Sequence, residues 1–213
     1  MGGFLHTRER GYAIKDIAKK LGLLYFGSVV DHRNDDHEVI RGLTVSTTHK
    51  DRHYAVGSYD GYDIALVDRY DKNVVGRTKE KHNWAILQVT LHPDVMLPHI
   101  FILPHDRTQR FQHLFLGLRQ LQVIHDLTQQ DYHAEFTQRY NMYAAGHQAP
   151  DVEQIITSDI ARGIAARFWP HAIEIKDDKL YIYLTEHRLS QTVLGGSIEA
   201  ALWLAETLDK KED

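Results

Sequence analysis

The 213-residue sequence predicts an α+β fold. A mainly antiparallel sheet occupies the N-terminal half, helices plus one hairpin the C-terminal half, and a helix closes the chain. Three observations carry this expectation. Residues 54–59 and 62–67 flank Asp60-Gly61, the dipeptide that most readily supplies the two φ > 0 positions of a type I′ hairpin. After Pro104 the apolar spacing lengthens from two residues to three or four, the period of a helix. Near the end, Ile198, Ala201, Leu202, Ala205 and Leu208 fall on a single helical face.

Residues 12–21 form a short amphipathic helix with Ile14, Ile17, Ala18 and Leu21 inward and Gly22 as its C-terminal cap, a position that favours positive φ. Ile17-Ala18-Lys19-Lys20-Leu21-Gly22 also matches the first half of a helix-turn-helix. That motif needs a polar second helix, whereas Leu23-Leu24-Tyr25-Phe26-Gly27 is aromatic and strand-like. Residues 31–38 make a polar loop. In the hairpin that follows, Tyr59 should face Tyr62, Gly57 face Ile64 and Ala55 face Leu66, small residues against large on one apolar face. A third strand, 84–91, has Ala85, Leu87, Val89 and Leu91 as its core side, and a polar, mobile connection spans 71–83. Residues 100–103 are a short buried strand boxed by Pro98 and Pro104, neither of which can donate to a ladder.

Phe111, Leu114, Phe115, Leu118 and Leu121 predict an amphipathic helix over 109–125. Tyr132, Phe136 and Tyr140 recur every four residues, but 140–144 reads equally as a strand. Pro150-Asp151 opens a helix whose stripe is Ile156, Ile160, Ile164 and Phe168, stopped by Trp169-Pro170. Residues 173–175 and 180–184 form a second hairpin about Asp177-Asp178. Ser197 caps the last helix, and Lys210-Lys211 lie near its negative end. With no Gly/Ser/Pro linker, residues 1–213 read as one domain. Sub-lobes 1–128 and 129–213 are the alternative.

Composition narrows the function. At 43% hydrophobic and 25% charged residues the chain is typical of a soluble globular protein. A net charge of −4 gives no electrostatic reason to expect nucleic acid as a partner. Without cysteine, disulfides, thiolate metal sites and thiol catalysis are excluded. No window reaches the length of a membrane span, and the first residues lack the basic and apolar segments of a signal peptide, so a cytoplasmic location is expected.

The order of several short motifs resembles a known family. An arginine-containing leader precedes the A-x-x-L-G helix at 18–22, and Val67-Asp68-Arg69-Tyr70 follows a glycine turn. Glu135-Phe136 leads to Tyr140 and a helix from Pro150, and a terminal hairpin strand at 178–183 precedes the closing helix. In this the chain is similar to a family of uncharacterised bacterial proteins whose soluble α+β domain often sits behind one or two N-terminal membrane helices. The resemblance spans nearly the full length and implies no catalytic residues. This chain departs from many members in showing no such helices.

Fifteen histidines are the compositional oddity. Asp31-His32, Asp36-His37-Glu38, His49 and His53 place imidazoles and carboxylates within a short stretch, and three or four converging groups would make a zinc or manganese site. The candidate ligands are His32, His37, Glu38, His49 and His53. Lys50 and Arg52 between the last two would oppose a cation, and solvated loop histidines are the plainer reading. His92, His99, His105 and His113 read as surface or hydrogen-bonded histidines. Asp60, Asp63 and Asp177-Asp178 are explained by turns and an outer strand face rather than by paired-carboxylate chemistry. Neither a nucleophile signature nor a Walker or Rossmann spacing occurs. Gly196-Ser197 at a helix start could attract an anion, although capping alone explains it. The Phe111 to Leu121 stripe, with Arg107, Arg110 and Arg119 nearby, is either a core face or a surface for peripheral membrane contact. These readings lead to a non-enzymatic module that binds a protein or small ligand, membrane-proximal and without a cofactor. The competing expectation is a metal-dependent hydrolase built on the 31–53 cluster.

Overall fold

Between residues 84 and 89 the apolar side chains Trp84, Ala85, Ile86, Leu87 and Val89 crowd one strand. Strand neighbours point to opposite faces, so this segment has to be covered on both sides. The computed structural model describes residues 3–28, 48–75, 78–92, 94, 96–107, 121–124, 130–184 and 189–209. It meets that requirement with a nine-stranded sheet whose neighbouring strands are all antiparallel. The strands are β1 (Leu24–Ser28), β2 (Thr48–Tyr59), β3 (Tyr62–Val75), β4 (Thr78–Thr90), β5 (Leu97–Pro104), β6 (Gln122–Val123), β7 (Tyr140–Ala144), β8 (Ala172–Asp177) and β9 (Lys179–Leu184). They lie in the order β1-β2-β3-β4-β9-β8-β5-β7-β6.

Five helices accompany the sheet among the described residues: α1 (Gly3–Leu21), α2 (Ala134–Arg139), α3 (Ala149–Ile155), α4 (Ser158–Phe168) and α5 (Gln191–Asp209). The larger core joins Ile14 and Ile17 of α1, Ile164 of α4 and Leu204 of α5 to Leu66, Leu87 and Ile182 of the sheet. We call this side the helical face. A smaller core on the second face gathers Val67, Trp84, Ile86, Phe101, Leu103 and Tyr183. Edge-to-face contacts of Tyr183 with Trp84 and Phe101 give it the geometry aromatic rings prefer.

The α+β class and the closing helix are as the sequence predicts. The first hairpin has the expected register, Tyr59↔Tyr62, Gly57↔Ile64 and Ala55↔Leu66, with φ of 52° at Asp60 and 83° at Gly61. Gly22 caps α1 at φ 73°, and α1 reaches further back than 12–21, to Gly3. Residues 140–144 take the strand alternative, ordered by Tyr140 and Met142 facing the larger core.

Four expectations need correction. Residues 71–75 and 78–83 are not a loop; they continue the β3–β4 ladder out to Val75↔Thr78. A backbone ladder propagates from its buried register without an apolar period, so the polar sequence concealed it. The stripe from Ile156 to Phe168 is divided, because Thr157 leaves the helix and its Oγ accepts from Ile160 N at 3.4 Å as the N-cap of α4. At residues 122–123 the predicted helix over 109–125 is replaced by β6, paired to β7; residues 108–120 lie outside the described residues, as do 31–38 and Lys210-Lys211. The last helix starts at Gln191, where Ser190 Oγ accepts from Val193 N at 3.2 Å, while Ser197 sits inside it and donates to Val193 O at 2.8 Å. Leu194, fully buried, extends the inward stripe one turn earlier than the sequence reading placed it.

Those two serines give a test. Ser190→Ala should lower the unfolding free energy by about 1 kcal/mol through loss of the cap. Ser197→Ala should change it by less than about 0.5 kcal/mol, since alanine is the better helix former. Urea denaturation of the two variants checks the order, and the reverse ranking would restore Ser197 as the cap.

Candidate functional site

Register places the candidate site. On β3, Ala65 lies between Val56 of β2 and Gln88 of β4, and Asp63 lies between Ser58 and Thr90. Residues directly opposite share a face, so a methyl group sits among larger neighbours. The result is a depression of about 260 Å³ on the second face, lined by Tyr54, Val56, Asp63, Ala65, Gln88 and Thr90. Its polar groups are partly engaged: Ser58 Oγ donates to Asp63 Oδ1, and Lys179 Nζ donates to Thr90 Oγ1 at 3.2 Å and to Asp178 Oδ2 at 2.9 Å. No hydrogen bond engages the Gln88 amide among the described residues.

An apolar strip leads into the depression. On β1, at the end of the sheet, Leu24 pairs with Val56 and Phe26 with Tyr54, whose rings stack at 5.9 Å. Leu24 is 67% and Phe26 48% exposed. Burial raises the Tyr54 pKa, which keeps its hydroxyl neutral at the edge of the site.

The helical face of the same strands holds the site in place. Arg10 of α1 donates to Asp68 Oδ1 through Nε at 2.9 Å and Nη2 at 2.6 Å, both residues being buried. On the second face, Asp51 receives Arg69 as a fork, at 2.7 and 2.8 Å. A bulge between Arg52 and Ala55 puts His53 at φ 54°, and its Nδ1 hydrogen-bonds the Tyr25 hydroxyl at 2.7 Å. The imidazole lies against the backbone of Gly11, where an added Cβ would be 2.6 Å from Nε2 and 2.9 Å from Nδ1. Burial lowers the His53 pKa; the Asp68 charge opposes this, and Arg52 and Arg10 reinforce it.

Of the predicted metal ligands, His32, His37 and Glu38 lie outside the described residues. His49 lies on β2 with its side chain outside them. His53 is the one whose side chain is placed, and its Nδ1 is occupied by Tyr25. Among the described residues no group of three or more His, Asp or Glu could hold a metal. His92 stacks on Tyr62, His99 Nε2 donates to Glu174 Oε1 at 2.9 Å, and His105 Nε2 donates to Thr137 O. His113 lies outside the described residues. Asp60 and Asp177 occupy positive-φ turns, and Gly196-Ser197 lies within α5 rather than at its start, which removes the anion reading. The Phe111 stripe, Arg110 and Arg119 lie outside the described residues, as does the Arg107 side chain; Leu121 packs on the second core.

The sequence alone does not single out Leu24, Phe26, Tyr54, Ala65 and Gln88 as site residues. The hairpin register already implied the Val56–Ala65 pair, and the strand-like run 23–27 was visible. The signal that was missing is the order of non-adjacent strands.

No protein-family model matches the chain, and no curated protein sequence does. Among the described residues, one antiparallel sheet with helices on one side defines it as a mixed α+β domain. Among solved structures it is similar to the crystal structure of the mycobacterial trehalose monomycolate transport factor A. The match covers 94% of this chain and 95% of that one, with a TM-score of 0.61 and 10% sequence identity. At that identity the likeness shows a shared fold. No helix among the described residues is long and apolar enough to cross a membrane.

Two measurements test the mount. Gly11→Ala should destabilise the wild type despite the roughly 1 kcal/mol helix preference of alanine, and should stabilise a His53→Ala background once the ring is gone. Denaturation of the four proteins of this cycle decides it, and stabilisation in both backgrounds would sink the contact. Because the folded pKa of His53 is lowered, its contribution is complete above its ordinary value of 6.5 and drains as the pH falls below it. Between pH 7.5 and 5.5 the wild type should therefore lose more stability than His53→Gln, and equal losses would contradict this.

Proposed function

We propose that this chain is a non-enzymatic binding module that engages a partner protein or small ligand on the second face of its sheet, at the open end formed by β1 to β4. One observation carries the reading. A sheet that buries apolar side chains on both faces along β4 leaves Leu24 and Phe26 exposed on β1, beside a depression with convergent polar groups. Exposed apolar surface bordered by polar groups is the signature of a contact site, and a few placed polar groups in a concavity give it specificity. The structural neighbour is named a transport factor, a description with which a binding role accords. A position close to a membrane, implied by the family resemblance, belongs to the same proposal.

Fragment mapping by NMR tests it. Hits should cluster their shift changes on Leu24, Phe26, Tyr54, Val56 and Ala65. Leu24→Ser with Phe26→Ser should abolish those changes while altering stability by less than about 0.5 kcal/mol per exposed position. Hits that gather elsewhere, or that survive the double substitution, would refute the assignment of this surface.

A further inference from the structure

The depression and the strip beside it differ in chemistry, and the difference is directional. At β3 and β4 the lining is polar: Asp63 carries acceptors, Thr90 a hydroxyl, and Gln88 an amide that is donor and acceptor at once. At β1 and β2 it is apolar, with Leu24, Val56, Phe26 and Tyr54 in two cross-strand pairs. Neighbouring strands are about 4.8 Å apart, so the two regions are contiguous. We infer that the ligand is an uncharged, polyhydroxylated headgroup bearing an apolar chain, the headgroup over Ala65 and the chain along Leu24 and Phe26. This rests on the reading of the second face as a binding surface.

Charge and shape select the headgroup. An anionic group would meet Asp63, with Asp60 and Asp178 also at this end of the hairpins. Among the described residues the basic side chain that hydrogen-bonds the lining, Lys179, is paired to Asp178 at 2.9 Å. A quaternary ammonium group is recognised by several converging rings. Here Tyr54 is the one ring in the lining, and it already stacks on Phe26. Vicinal hydroxyls, by contrast, each donate and accept, and they match a set that mixes an amide, a carboxylate and a hydroxyl. The volume of about 260 Å³ is below the roughly 300–1,000 Å³ of drug-sized pockets, which suits one small headgroup. The chain adds affinity by area alone, roughly fourfold for each methylene buried.

The test titrates the full chain with octyl glucoside, octyl sulfate and octyltrimethylammonium, each below its micellar concentration, following the NMR signals of Leu24, Phe26, Tyr54, Val56 and Ala65. Octyl glucoside should bind at least tenfold more tightly than the other two. Ala65→Leu, which fills the depression, and Gln88→Leu, which removes the amide, should each weaken the glucoside at least tenfold. Phe26→Ser should weaken all three amphiphiles alike. Spectral dispersion confirms that each variant is folded, and Gln88→Leu, at a half-exposed position, keeps the test decisive if Ala65→Leu unfolds. Equal binding of the three, or glucoside binding indifferent to Ala65→Leu and Gln88→Leu, would overturn the headgroup assignment. If a charged amphiphile perturbs these residues and the glucoside does not, the headgroup is wrong and the surface stands. If none of the three perturbs them, the amphiphile proposal fails, and the fragment mapping alone decides the surface.

Discussion

The buried pair of Arg10 and Asp68 is the contact on which the arrangement of this protein turns. Their side chains retain 4% and 9% of their exposure, so both charges have left water. Desolvating two such ions costs several kcal/mol each, and the pair holds only if its geometry is kept. Removing Arg10 would take from the buried Asp68 carboxylate its partner among the described residues, a loss of about 3–5 kcal/mol. The pair therefore contributes less to net stability than to uniqueness. Among the described residues Arg10 meets the Asp68 carboxylate, and that contact fixes how α1 is rotated over β3.

Asp68 and Arg69 are sequence neighbours on a strand, so they must point to opposite faces. Each finds a partner of opposite charge on its own side, Arg10 from the helix and Asp51 from β2. The Val67-Asp68-Arg69-Tyr70 motif is in this sense a two-sided rivet. One side fastens α1, and the other locks the β2–β3 register just beyond the bulge at His53. With α1 fastened to the helical face, the second face of β1 and β2 is left uncovered at Leu24 and Phe26. The exposed strip is thus the complement of the helix position.

How much of this could be read in advance depended on whether the determining contact was local. The Asp60-Gly61 turn, the Gly22 cap and the core side of 84–91 were legible because each is fixed by a few adjacent residues. Thr157 and Ser190 were legible in principle, since both are caps, but an uninterrupted apolar stripe outweighed them at the first and a later serine at the second. The ladder through 71–75 and 78–83 is concealed because its pairing is inherited from Val67↔Ile86, not encoded in its own polarity. The depression could not be foreseen for the same reason. It needs Tyr54 and Val56, Asp63 and Ala65, Gln88 and Thr90 from three strands, and only the first two strands were paired by a recognisable turn. Glu174 is the sharpest case. Flanked by Ile173 and Ile175 it suggests a solvent-facing position, yet it is 1% exposed, held by the Tyr183 hydroxyl and by His99.

Placement at a sheet end also reconciles an exposed apolar surface with a stable fold. The central strands β4, β9 and β8 have neighbours on both sides and side chains buried on both faces, so their opening approaches global unfolding. Among the described residues β1 pairs with β2 alone, and it is tied to the rest through Tyr25 and His53 on one face and the Phe26–Tyr54 stack on the other. Apolar residues there cost less to leave in water than a cavity would cost in the centre, because nothing else has to rearrange around them. The inward residue of β1, Tyr25, is anchored through His53 to the backbone of α1 at Gly11, so movement of the strip is limited to what that hydrogen bond permits.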